Sequence, residues 1–195
     1  EKSGKSCTGG DIGTHAENLV RYVTGLRIEA LCADLTAFVP GNPLDDDVNV
    51  LLRYTNGARG VLIASQISTG EENGFSLRVY GSKAGLYWNQ ENPNYLHYMS
   101  PEGYRKVLSK GNPILCEQAQ SAGRLPFGHP DGFIEAFANV YMSVAKAIED
   151  EVEGRHPTGE YDFPTVDDGV HGMLFTDTVL KSSQSDVKWM EFPKV

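Results

Sequence analysis

Asp47-Val48-Asn49-Val50-Leu51-Leu52-Arg53-Tyr54, then Asn56-Gly57, then Gly60-Val61-Leu62-Ile63-Ala64-Ser65 is the stretch that decides the fold. Val48, Val50, Leu52 and Tyr54 share one face, with Asn49, Leu51 and Arg53 on the other, which is the two-residue period of a strand. Asn-Gly suits a tight hairpin because its central residues tolerate positive φ. The second run, 60–68, therefore returns antiparallel to the first. Val48, Val50, Leu52 and Tyr54, with Val61 and Ile63, are candidates for a sheet face that either pairs with another copy or packs on helices.

Working outward, more strands appear on both sides. Residues 28–39 are rich in β-favouring side chains and end at Pro40-Gly41. Further strands are expected at 75–80, 86–89, 95–99 and 104–108, separated by Gly81-Ser82-Lys83-Ala84-Gly85 and by Pro101-Glu102-Gly103. Connections this short exclude a parallel βαβ array, which needs long crossovers. The aromatics Tyr87, Trp88, Tyr95, Tyr98 and Tyr104 read as cross-strand pairs rather than a sugar-stacking platform.

Helices flank the strands. Residues 1–10 read as a loop, after which Ile12, His15, Ala16, Leu19, Val20 and Val23 recur at helical spacing, and Gly25 is the expected stop. Phe133, Ile134, Phe137, Val140, Tyr141, Val144 and Ile148 form an apolar stripe, with Asp131 as the expected cap and Gly154 beyond the end. Thr165-Val166-Asp167-Asp168 resembles a capping box and opens a last helix to about Ser183, while Trp189 in the tail is expected to pack back on the body. The predicted class is α+β: one domain over 1–195, with an open, predominantly antiparallel sheet and helices packed on one face.

Composition sets the remaining bounds. With 195 residues and 40% hydrophobic side chains, the chain is long enough to bury a core. Seventeen basic against 26 acidic side chains give a net charge of −9, which argues against a nucleic-acid partner. No apolar run reaches the ~18 residues of a membrane span. Cys7, Cys32 and Cys116 form no metal pattern with the histidines, so free thiols in a reducing, cytoplasmic setting are expected and no metal. Asp45-Asp46-Asp47 and Glu149-Asp150-Glu151 lack the spacing of a calcium loop and read as solvated turns and helix ends. The chain opens at Glu1 rather than Met, which reads as a boundary inside a longer product.

The chemistry-bearing candidate is Gly9-Gly10-Asp11-Ile12-Gly13-Thr14-His15. Asp11 and His15 are four apart where a helix begins, so a carboxylate can orient an imidazole that takes a proton from a hydroxyl. The alternative is that Asp11 caps the helix and His15 is a satisfied, half-buried residue. His129 beside Pro130, the nearby Arg124 and His171 in the last helix are candidates for substrate contact, each with a loop-packing or structural alternative. His97 and His156 carry no signal. No Gly-x-Ser-x-Gly elbow is present, so a hydrolase ranks last.

Four segments in order carry a resemblance. Gly10-Asp11-Ile12-Gly13-Thr14-His15, Tyr80-Gly81-Ser82-Lys83-Ala84-Gly85, Gly128-His129-Pro130-Asp131-Gly132-Phe133 with Glu135-Ala136-Phe137-Ala138-Asn139, and Asp167-Asp168-Gly169 with Ser182-Ser183 resemble the C-terminal domain of Gfo/Idh/MocA oxidoreductases. The resemblance implies a two-domain enzyme acting on a sugar, cyclitol or related polyol. In such an enzyme a Rossmann domain holds NAD or NADP, and this domain supplies substrate contacts and forms homo-oligomers through its open sheet. It also implies that His15 is the general base, that Asp11 orients it, and that hydride leaves the adjacent carbon for the cofactor. The chain departs from the whole pattern by lacking both the Gly-x-Gly-x-x-Gly between strand and helix and the Glu-Lys-Pro segment. By itself it is therefore expected neither to bind dinucleotide tightly nor to catalyse; saturable micromolar NAD(P) binding in calorimetry would overturn that. A non-catalytic binding or oligomerisation module of the same fold is the alternative.

Overall fold

The computed structural model describes residues 4–155 and 161–194, so His156 lies outside the described residues. In chain order, a π-helical turn Gly9–Gly13 runs into α1 (Thr14–Thr24), followed by β1 (Ile28–Thr36), β2 (Asp47–Tyr54) and β3 (Arg59–Ser65). Next come β4 (Ser76–Tyr80), β5 (Gly85–Asn89), β6 (Tyr95–Met99) and β7 (Arg105–Ser109). The chain closes with α2 (Glu117–Ser121), α3 (Phe133–Val152), α4 (Val166–Gln184) and β8 (Trp189–Glu191). Every strand pairing is antiparallel, and the class is α+β. The strands divide between two four-stranded sheets, ordered β3-β2-β1-β8 and β4-β5-β6-β7. The chain likewise divides into two compact units, residues 1–71 with 164–195, and residues 72–163.

In the first unit the hairpin forms as its alternation dictates. Gly57 takes the positive φ of the turn, 87°, and its N–H donates to the Tyr54 carbonyl at 2.9 Å. Val48, Val50, Leu52 and Tyr54 are buried with Leu31, Leu62, Phe175 and Val179 in the core. Val61 and Ile63 lie opposite Leu51 and Asn49, and all but Asn49 are large apolar side chains left exposed. The six residues read as one candidate face are thus split: four face the core and two face outward. The cause is pairing register, since directly opposed residues share a side and Val61 opposes Leu51.

Strand β8 completes the other edge of the sheet through Cys32↔Trp189, with the Arg53 guanidinium 3.7 Å from the Trp189 ring centroid. It pairs with β1 only as far as Cys32. Beyond it, Ser182 and Ser183 of α4 accept the N–H groups of Ala33 and Leu35 at 2.8 and 3.0 Å. Two side-chain hydroxyls thus finish an edge that a longer strand would otherwise cover.

The second unit is a meander in which four of the five expected aromatics make ring contacts: Tyr87 with His97 at 5.5 Å, Tyr98 with Tyr104 at 6.4 Å and Trp88 with Phe75 at 6.1 Å. Two expectations for α3 need correction. Its N-cap is Gly132, whose N–H donates to Glu135 at 2.8 Å, while Asp131 binds the preceding loop instead. Its apolar stripe is also largely exposed, Phe133, Ile134, Phe137 and Tyr141 included.

Candidate functional site

The segment carrying Asp11 and His15 begins earlier than its apolar pattern suggests. Helical backbone starts at Thr8, passes through the π turn and continues as α1, so residues 8–10 are not loop. A helix start leaves four N–H groups without intrahelical partners. Here the Cys7 and Gly9 amides donate to the Asp45 carboxylate at 3.0 and 2.9 Å, and Thr8 donates to the Asp45 carbonyl through its N–H at 3.3 Å and its hydroxyl at 3.1 Å. The Gly10 amide donates to the Ser6 hydroxyl, which in turn donates to Asp45, both at 3.1 Å. Asp45 is buried, contrary to its reading as part of a solvated acidic turn. Its neighbour Asp46 is buried too, and the Phe38 and Val39 amides hold its carboxyl below the ordinary range.

Asp11 therefore does not cap the helix; its side chain and that of His15 are both exposed. Among the described residues, neither side chain makes a hydrogen bond or ion pair, with the other or with anything else. The structural alternative, a capping Asp11 over a satisfied half-buried His15, is not what is found. Both exposed side chains are thus available to a third group.

Beneath the same helix lies a polar cluster the sequence did not announce. Glu17 is buried, and its carboxylate sits 3.7 Å from Arg21 Nε and 3.4 Å from His171 Nδ1. Arg21 reaches across to Asp168 at 2.7 Å, and Asp168 also accepts the Thr165 N–H at 2.7 Å as the expected capping box. The Thr165 amide, then Arg21, hold the Asp168 carboxyl down at about 2. Burial pushes the Tyr54 phenol up to about 12, with the Glu17 charge adding to it. His171 packs its ring 4.9 Å from Phe192 and belongs to this α1–α4 contact; no hydrogen bond or ion pair links it to Asp11 or His15 among the described residues. Glu17 and Arg21 at i,i+4 were a legible sign of an ion pair, but nothing local marked its burial.

In the second unit, Arg124 and His129 are exposed on a braced loop. Asp131 accepts the Arg124 and Leu125 amides, both at 3.1 Å, and pairs with Lys110. Burial raises the Asp131 carboxyl, but Lys110 and the two amides outweigh it and the net shift is downward. The Arg124 guanidinium donates to Asn139 at 3.0 Å, and Asn139 donates onward to the Ala122 carbonyl at 2.7 Å. Asp150, read as part of a solvated helix end, is buried and bound by Lys146, Arg155 and Tyr161. Among the described residues, no group of three or more His, Cys, Asp or Glu side chains gathers in a way that could hold a metal ion. No helix there is long and apolar enough to cross a membrane.

A family model for the Gfo/Idh/MocA C-terminal domain matches residues 2–87, the part that carries the Asp11–His15 segment, α1 and the hairpin. The chain belongs to the Gfo/Idh/MocA family. This C-terminal domain is 31% identical over 193 residues to the uncharacterized oxidoreductase YfiI of Bacillus subtilis, covering 97% of the chain and 49% of that protein. An oxidoreductase from Sinorhizobium meliloti superposes with TM-score 0.88 at 41% identity, over 94% of this chain and 51% of the other. An inositol dehydrogenase homolog from Azotobacter vinelandii, in complex with NADH and myo-inositol, does so with TM-score 0.90 at 30% identity, over 96% and 50%. The chain spans about half the length of these relatives.

The described residues do not by themselves build a Rossmann-type dinucleotide site. A Rossmann site uses the crevice of a parallel sheet and a glycine-rich strand-to-helix turn. Every strand pair here is antiparallel, and the turn into the first helix follows no strand.

Proposed function

We propose that a longer protein carrying this chain is an NAD(P)-dependent oxidoreductase that dehydrogenates a secondary alcohol of a sugar, cyclitol or related polyol. The observation that carries this reading is the exposed Asp11–His15 pair, without internal partners, on a helix start whose backbone is held by Asp45. Its part of the chemistry is proton handling. His15 takes the proton of the substrate hydroxyl, and Asp11 orients the imidazole and stabilises its charged form. The hydride step is assigned to the remainder of the longer protein, in keeping with the lack of a parallel sheet and a glycine-rich strand-to-helix turn among the described residues. Arg124 and His129, exposed on their braced loop, are proposed to meet substrate hydroxyls. His171 enters the proposal as part of the α1–α4 contact.

The NADH and myo-inositol bound by the Azotobacter vinelandii homolog support both the cofactor and the polyol class. The test is His15→Ala in the longer protein. Turnover is expected to fall by about 100-fold or more, the usual share of a general base, while NAD(P) affinity stays near wild type. Normal turnover in that variant removes His15 from the mechanism. The outward face of the first sheet, with Leu51, Val61 and Ile63 exposed, supports a homo-oligomer through that face, whether or not the protein is catalytic.

A further inference from the structure

The acidic run at 45–47 has no part in the proton transfer, yet one member binds three of the amides that start the Asp11–His15 segment and reaches a fourth through Ser6. The Asp45 carboxylate takes the Cys7 and Gly9 amides, its carbonyl takes Thr8 twice, and Ser6 relays it to Gly10. The next amide, Asp11 N–H, then makes the first bond of helical register, to the Cys7 carbonyl at 2.9 Å. Asp45 lies 36–39 residues from the groups it binds, so this cap is tertiary. Its surroundings tie it to the sheet: the Asp46 N–H donates to the Thr36 carbonyl at 3.0 Å and the Gln66 N–H to the Asp46 carbonyl at 2.9 Å. Space is equally restricted, because a Cβ on Gly9 would lie 2.7 Å from Ser6 Oγ. A π-helical turn is uncommon and is frequently found at functional sites. This one contains Asp11 and ends one residue before α1.

We propose that Asp45 is the positioning residue of the Asp11–His15 pair: it fixes where the helical segment starts on the sheet and so sets the direction in which the two side chains project. It touches neither substrate nor reacting atoms. The inference rests on the reading of His15 as base. Displacements of about 1 Å at a reacting group cost up to ~100-fold in rate, so a cap that fixes a helix start has ample leverage.

The experiment compares Asp45→Ala, Asp45→Asn, Ser6→Ala and His15→Ala in the longer protein. It measures amide hydrogen exchange over residues 6–15, thermal midpoint, kcat, and KM for NAD(P). For Asp45→Ala the expected result is faster exchange at Cys7 to Gly10 and a fall in kcat of about 10- to 100-fold, with KM for NAD(P) within about twofold. Asp45→Asn, which can retain one acceptor, and Ser6→Ala, which cuts only the relay to Gly10, should fall in between. They carry the test if Asp45→Ala does not fold. A merely structural role would lower the thermal midpoint and leave kcat per folded molecule at wild type; that outcome, or unchanged exchange, overturns the proposal. Full turnover by His15→Ala is a different result: it overturns the reading of His15, and the positioning role with it.

Discussion

Leu31, Val48, Val50, Phe175 and Val179 pack in the first unit with no more than 1% exposure each, whereas the second unit buries no hydrophobic side chain fully among the described residues. The first unit is organised by apolar burial, with α4 and the β1–β3 sheet closing on one another. The second is organised by polar hubs. Asp131 gathers Lys110 and two amides, and Asp150 gathers Lys146, Arg155 and Tyr161. The difference teaches where precision comes from. Close-packed side chains resist displacement, so a pair mounted on the first unit inherits a rigid base. A loop mounted on charge-assisted hydrogen bonds is held by groups that water also solvates, and its apolar helix α3 presents surface that a partner could bury.

The largest effect should separate the two units directly. Phe175→Ala is expected to destabilise the chain by about 3–5 kcal/mol, while Phe137→Ala, at a position 49% exposed, should cost less than about 1 kcal/mol. Urea denaturation of both variants checks this, and equal losses would break the comparison.

A smaller effect concerns charge. The Asp168 carboxyl is held at about 2 against an ordinary 3.8, so it stabilises the fold above pH ~4 and that contribution is lost as pH falls toward 2. Asp168→Asn should therefore cost about 1 kcal/mol at neutral pH, discounted because solvent screens a side chain that is a quarter exposed. The gap to wild type should close near pH 2. A gap that is constant across pH would mean that packing, not charge, joins α1 to α4.

The smallest effect on stability should come from the outer sheet face. Val61→Asp is expected to change stability by no more than about 0.5 kcal/mol, because Val61 is exposed. In light scattering on the longer protein, the same variant should lower the mass if that face joins copies. An unchanged multimer would place the interface elsewhere.

Much of the architecture was legible because it repeats locally. Alternation marked β2, Asn56-Gly57 marked its turn, and Gly25 marked the end of α1, where it takes φ 66° and donates to the Arg21 carbonyl. Thr165 and Asp168 marked the start of α4. Asp11 and His15 stood out as candidates for the same kind of reason, since four-residue spacing has a meaning on an α-helix. Where local logic misled, a distant group had intervened. Asp131 was read as a cap for α3, but Lys110 and the loop amides claim it. The three aspartates at 45–47 have the composition of a solvated turn, but Asp45 and Asp46 are buried and accept backbone N–H groups.

What the sequence by itself determined is the class, the main helices and strands and the segments that carry the family resemblance, because periodicity, turn chemistry and short motifs are properties of neighbouring residues. Only the tertiary structure decided which face of the hairpin is core, what Asp45 binds, and that Glu17 meets His171 beneath the helix that carries His15. The Asp45 and Glu17 contacts join residues tens to more than a hundred positions apart. No local pattern encodes them, because they exist only once the sheet has set the distance between its helices.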